Sequence, residues 1–126
     1  VKELTIVVYA RRFQRADWHQ DLDVESVRAL AQALDRELVA FGWQVRCLVD
    51  DSVSIEVKGY KDLLNAVRLR VSDGGNPCLG HVIGASAACD PLADIRRGVN
   101  RLIFAPETIE PEGSDKRVCH NCGCGC

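Results

Sequence analysis

Val24, Val27, Leu30, Ala31, Leu34, Leu38 and Phe41 recur at three- and four-residue steps. That spacing predicts one face of an amphipathic helix of about five turns. Asp23 stands at the N-cap position, Glu25 suits the positive end of the helix dipole, and Gly42 is placed to end the helix. Tyr60, Leu63, Leu64, Val67 and Val71 repeat the helical spacing up to the breaker cluster Asp73-Gly74-Gly75-Asn76-Pro77. A third helix is expected after Asp90-Pro91, an N-cap and first-position pair, with Leu92, Ile95, Val99, Leu102 and Ile103 on one face. A competing reading ends this helix at Gly98 and makes Arg101 to Ala105 an edge strand.

The other apolar runs have the period of strands. Thr5 to Tyr9 is β-branched and aromatic, as is a buried strand. Val45 to Val49 predicts a second strand. Val53, Ile55 and Val57 alternate with Ser54, Glu56 and Lys58, the pattern of a strand with one wet face. Asp50-Asp51-Ser52 between them has turn chemistry, so an antiparallel hairpin is expected. Leu79 to Ala85 predicts a fourth strand, interrupted by Gly80 and Gly84. The order is β-α-β-β-α-β plus a C-terminal helix, which predicts an α+β, ferredoxin-like sandwich over residues 1–105. A thioredoxin-like sheet is the alternative, but no redox Cys-x-x-Cys follows the first strand.

Composition narrows the function classes. With 126 residues the chain has room for one domain and one core. Its formal net charge of −2 leaves no electrostatic footprint for nucleic acid or an anionic membrane. The apolar run Leu4 to Ala10 has strand length, well short of the roughly 20 residues of a membrane span. A cytoplasmic location is expected, where clustered thiols stay reduced and serve metal or redox chemistry. The odd total of seven cysteines also argues against a fully paired disulfide framework.

Residues 106–118 carry two prolines and many charges, and are expected to form a flexible linker. The chain then closes on a Cys-rich tail, Cys119-His120-Asn121-Cys122-Gly123-Cys124-Gly125-Cys126. Cys119 and Cys122 make a Cys-x-x-Cys chelate, and Cys122, Cys124 and Cys126 make two overlapping Cys-Gly-Cys units. Thiolates are soft donors that select Ni(II), Zn(II) or Cu(I) over Mg or Ca. Glycine between them lets the backbone wrap one ion and brings main-chain nitrogens close to it. His120 adds a borderline nitrogen. Structural zinc usually takes ligand pairs from separated knuckles, and no spacer exists here, so the spacing leans toward nickel, with square-planar Ni(II) first, or copper, while zinc stays open.

The segment from Cys119 to Cys124 resembles the Cys-x-x-Cys-Gly-Cys segment of the nickel-insertion GTPases that mature nickel–iron hydrogenases. Cys-Gly-Cys is also similar to the unit that holds a square-planar nickel in acetyl-CoA synthase. The first resemblance implies Ni(II) ligation by Cys119, Cys122 and Cys124, with Cys126 additional. It covers only the tail. The chain lacks the Gly-x-x-x-x-Gly-Lys-Ser/Thr loop of those GTPases, and its motif lies at the opposite end of the chain.

The remaining polar candidates have simpler readings. Cys78 and His81, in Cys-x-x-His spacing, could complete a metal site, but a buried Cys beside a surface His is the plainer account. Cys47 alternates with apolar neighbours and fits core packing. Cys89 precedes a helix N-cap, and His19 sits in a polar loop with Asp17 and Trp18. Arg11, Arg12 and Arg15 could meet an anion at the end of the first strand, as could amides of Asp73-Gly74-Gly75-Asn76, but a solvated charge run and a turn suffice. No catalytic triad, His-Glu-x-x-His or paired-carboxylate pattern is present. An enzyme with a cleft lined by Cys78, His81 and the N-terminal arginines ranks last. The leading expectation is a small metal-handling protein that captures, delivers or senses its ion. It would act with a protein partner or as a homo-oligomer. The alternative is an oligomeric small-ligand-binding regulator whose tail is a disulfide switch.

Overall fold

A computed structural model describes residues 2–14, 20–72, 75–83 and 90–109. Three strands form one mixed sheet: β1 (Lys2–Phe13), β2 (Trp43–Val57) and β3 (Val67–Val71), in the order β2-β1-β3. β1 runs parallel to β2 and antiparallel to β3. The helices are α1 (Val24–Leu38), α2 (Tyr60–Asn65), α3 (Leu79–Ile83) and α4 (Pro91–Phe104). Short 3-10 turns follow α1 at Val39–Phe41 and α4 at Pro106–Thr108.

The two most periodic helices form where their spacing places them. α1 buries Val27, Ala31, Leu34 and Leu38, one residue per turn of a single face. Asp23 precedes it in extended geometry, but its carboxylate accepts the Ser26 hydroxyl at 2.6 Å and not a backbone amide. Gly42 ends the segment at φ 83°, a left-handed conformation that costs little without a Cβ. α4 starts at Pro91, with the Asp90 carboxylate accepting from the Ala93 amide. It runs through Gly98, so Arg101 to Phe104 is helical and not an edge strand. A Cβ on Gly98 would lie 2.4 Å from Leu79 Cδ1 and 3.2 Å from Leu69 Cδ1. Glycine there lets α4 lie directly on α3 and β3.

Three expected elements are corrected. Val45 to Val49 and Val53 to Val57 do not form a hairpin; they are one strand. Asp50-Asp51-Ser52 lies within it, at a register shift in which Tyr9 faces Asp50 while the next residue, Ala10, faces Ser54. The polar triplet makes a bulge because the 12-residue β1 offers a parallel template on both sides of it. The expected second helix stops at Asn65, and Val67 to Val71 becomes β3. Val67, Leu69 and Val71 alternate with Arg68 and Arg70, so this stretch fits either period, and pairing with β1 decides it. Leu79 to Ile83 is helix and not strand; residue 84 onward to 89 lies outside the described residues. Leu79, Val82 and Ile83 are buried together at helical spacing, packed toward α4. The α+β class therefore stands, and the ferredoxin-like order is met in part. A β-α-β start and a later helix-plus-strand unit are present, in a sheet of three strands.

One sheet face carries the core. Leu4, Ile6 and Val8 of β1 cluster with Val27, Ala31 and Leu34 of α1, Leu63 and Leu64 of α2, and Ile95 and Val99 of α4. Fully burying each such side chain stabilises the fold by about 1.5–3 kcal/mol before chain entropy is counted. On the opposite face Thr5, Val7 and Tyr9 are flanked by Arg46, Leu48 and Asp50 of β2 and by Arg68 and Arg70 of β3.

Candidate functional site

The expected ligand set, Cys119, His120, Cys122, Cys124 and Cys126, lies outside the described residues, as do Cys89, His19, Arg15, Asp73 and Gly74. Among the described residues, no three His, Cys, Asp or Glu side chains gather where they could hold a metal ion.

Cys78 and His81 meet as local structure. Cys78 is fully buried immediately before α3, and its Sγ accepts the His81 backbone amide at 3.4 Å. The thiol thus caps an orphan amide in the first turn of a short helix. Cys78 also bridges to Arg68 beside the outer edge of β3, so its backbone position is fixed by the sheet. Arg11 is likewise engaged. Its Nε donates to Asp21 at 2.7 Å and its Nη1 to the Tyr9 carbonyl at 2.7 Å, which ties the end of β1 to the approach to α1. Arg12 is exposed.

Cys47 has the most distinctive setting. It lies on the helix-bearing face of β2, half-buried against α1, in a cleft of about 330 Å³ lined by Arg28, Ala31, Gln32, Val45, Arg46 and itself. Burial pushes its thiol pKa up, and the Arg28 guanidinium draws it partly back. The thiol therefore stays protonated near neutral pH and is a weak nucleophile. Arg28 lies 3.9 Å from Glu25 and Arg46 lies 3.2 Å from Glu3. Both pairs face solvent, where such contacts contribute below about 1 kcal/mol, so both guanidiniums can exchange partners at little cost. The cleft combines a short apolar floor, the Arg28 cation and the Gln32 amide, with Arg46 at its rim, at the small end of ligand-site volumes. It has no general base beside its thiol.

The sequence did not single out Asp94. Its side chain is fully buried, accepts the Tyr60 hydroxyl at 2.5 Å, and lies 3.6 Å from Arg97. The contact joins α4 to α2. Its signal in the sequence is positional, because Asp94 is one turn before Gly98 and next to Ile95, on the packed side of α4. Asn65 is a second buried polar residue, at 7% exposure, and its Oδ1 has no hydrogen-bond partner.

The end of α4 is also tied down. Arg101 donates to the Val82 carbonyl at 2.9 Å and to the Thr108 hydroxyl and carbonyl at 3.0 and 2.7 Å. These contacts hold Pro106–Thr108, the start of the expected linker, against α3 and α4. Phe104 meets Phe41 edge-on, with ring centroids 5.1 Å apart, and both rings are exposed. No helix among the described residues is long and apolar enough to cross a membrane. Compared with protein-family models, curated proteins and solved structures, the chain matches none.

Proposed function

We propose that this chain is a small cytoplasmic metal-handling protein whose C-terminal thiolates capture Ni(II), or alternatively Cu(I) or Zn(II), for delivery or sensing. The observation that carries the reading is the closing run Cys119-His120-Asn121-Cys122-Gly123-Cys124-Gly125-Cys126. Four thiols and an imidazole within eight residues form a dense soft-donor set. Its glycines allow the close wrapping that a single ion requires. Cys119, Cys122, Cys124 and Cys126 are the proposed ligands, with His120 as an optional nitrogen donor. The body, ferredoxin-like in setting helices over one face of an open sheet, acts as carrier and partner-recognition surface. Its own two described thiols support this division of labour: Cys78 is used as a helix cap and Cys47 is kept protonated by burial.

The test is anaerobic titration of the reduced protein with Ni(II). Thiolate-to-metal charge-transfer absorption is expected, and Cys122→Ser with Cys124→Ser should remove it. Undiminished nickel binding in that double variant sinks the proposal. A second reading, the disulfide switch, rests on the same Cys-Gly-Cys units, whose small strained rings favour easily reduced disulfides. It predicts a loss of about 2 Da per bridge in the tail peptide under mild oxidation. Metal-blocked oxidation would rank metal binding first.

A further inference from the structure

We propose that the outer edge of β2 pairs with the same edge of a second copy, antiparallel about a two-fold axis at Leu48. Such pairing needs neither the tail nor any metal.

The backbone geometry fixes which groups face outward. Lys2 donates to the Gly42 carbonyl at 3.0 Å, which sets the phase of the parallel ladder to β1. Val45 donates to the Asp35 carboxylate of α1 at 2.8 Å, away from β1. Alternate residues of a strand turn their amides to opposite sides, so Cys47 and Val49 also point outward, like Val45. Directly opposed residues of an antiparallel pair must both be hydrogen-bonded or both not, so only axes that match odd positions with odd positions are allowed.

Side chains select among those axes. Leu48 is 44% exposed on the face of β2 away from α1, with Arg46 and Asp50 on either side of it on the same face. An axis at Leu48 sets Leu48 against Leu48 of the second copy, Arg46 against its Asp50, and Asp50 against its Arg46. Cys47 and Val49 then exchange backbone hydrogen bonds across the axis. An axis at residue 46 opposes two arginines, and one at residue 50 opposes two aspartates. Axes at 47 or 49 leave Arg46 without an acid opposite. Arg46 is free to turn, because its contact with Glu3 is 3.2 Å long with 68% of the Arg46 side chain exposed. The ladder is short by construction: Asp35 occupies the Val45 amide at one end, and the bulge after Asp50 ends regular pairing at the other. The result is a reversible dimer and not an open-ended fibre, since a two-fold edge contact closes on itself.

The experiment uses the full chain in a thiol reductant, so tail disulfides cannot link copies. Sedimentation velocity from micromolar to near-millimolar concentration should show monomer–dimer exchange. Arg46→Asp or Asp50→Arg alone places two like-charge contacts across the axis and should weaken the dimer by about tenfold or more. The double variant Arg46→Asp with Asp50→Arg exchanges the charges and should restore it to within a few-fold. Val49→Pro removes an outward amide and should abolish the dimer while circular dichroism stays that of the folded monomer. A chain that is monomeric throughout, a dimer indifferent to the single reversals, or a double variant no tighter than the singles would overturn the proposal.

Discussion

β2 and β3 both flank β1, but their outer edges are treated differently. On β3 two outward amides are matched by the following chain: Leu69 donates to Pro77 at 2.9 Å and Val71 to Gly75 at 2.7 Å. Cys78 then adds a bridge to Arg68. That edge is closed by protein. On β2, among the described residues, the outward amide of Val45 alone is matched, by the Asp35 carboxylate. Beyond it the strand carries exposed Leu48 and Val53 and a bulge. Uncovered edges are where chains pair with other chains, and bulges and charges are how proteins limit that pairing. The β3 edge is covered by the chain that follows it, and among the described residues most of the β2 edge is not.

The largest expected effect lies on the closed side. Leu69→Ala removes a fully buried side chain packed near Gly98 and should cost about 2–5 kcal/mol in urea unfolding. Leu48→Ala, at an exposed position of β2, should cost under about 0.5 kcal/mol in the monomer. Equal losses at the two sites would break the contrast. Next comes proline. Val71→Pro strands the Gly75 carbonyl and should cost about 1–3 kcal/mol, with circular dichroism confirming that fold is retained or lost. The same substitution at Val49 should leave monomer stability nearly unchanged.

Asp35→Ala tests the one partial closure of β2. It removes a charged acceptor from the Val45 amide and should lower stability by about 1–2 kcal/mol, while amide exchange at Val45 accelerates. The smallest effect is electrostatic. The Ser52 hydroxyl, and then its amide, hold the Asp50 carboxyl below the usual aspartate range, with a lesser contribution from Arg70. A depressed folded-state pKa contributes stability that is present above the unfolded value and is lost as pH falls through the folded value. Asp50 thus favours the folded state at neutral pH, and that support disappears only in acid. Ser52→Ala should raise the Asp50 pKa toward the ordinary range, read by carboxyl NMR titration. No change would mean that the bulge is not held by this contact.

The legible parts of the fold are those where one local signal dominates. The apolar stripe from Val24 to Leu38, the left-handed Gly42 and the Asp90-Pro91 start specified α1 and α4, because spacing and capping act within a few residues. Thr5 to Tyr9 announced the central strand in the same way. Val67 to Val71 was expected as helix and Leu79 to Ile83 as strand, and both expectations failed, since short apolar runs fit either period. The hairpin expectation failed at Asp50-Asp51-Ser52 because turn chemistry and bulge chemistry use the same residues. Asp94 carried a positional signal, beside Ile95 on the packed side of α4, but its contact with the distant Tyr60 was decided only by packing.

Local sequence specified the amphipathic helices and the central strand, both of which depend on neighbours within about two turns. Long-range packing settled that β2 is one parallel strand, that β3 is a strand, and that among the described residues one sheet edge is covered more fully than the other. Those outcomes depend on which distant backbone supplies the hydrogen-bond partner. The long β1, with partners on both sides, makes that choice for the whole sheet.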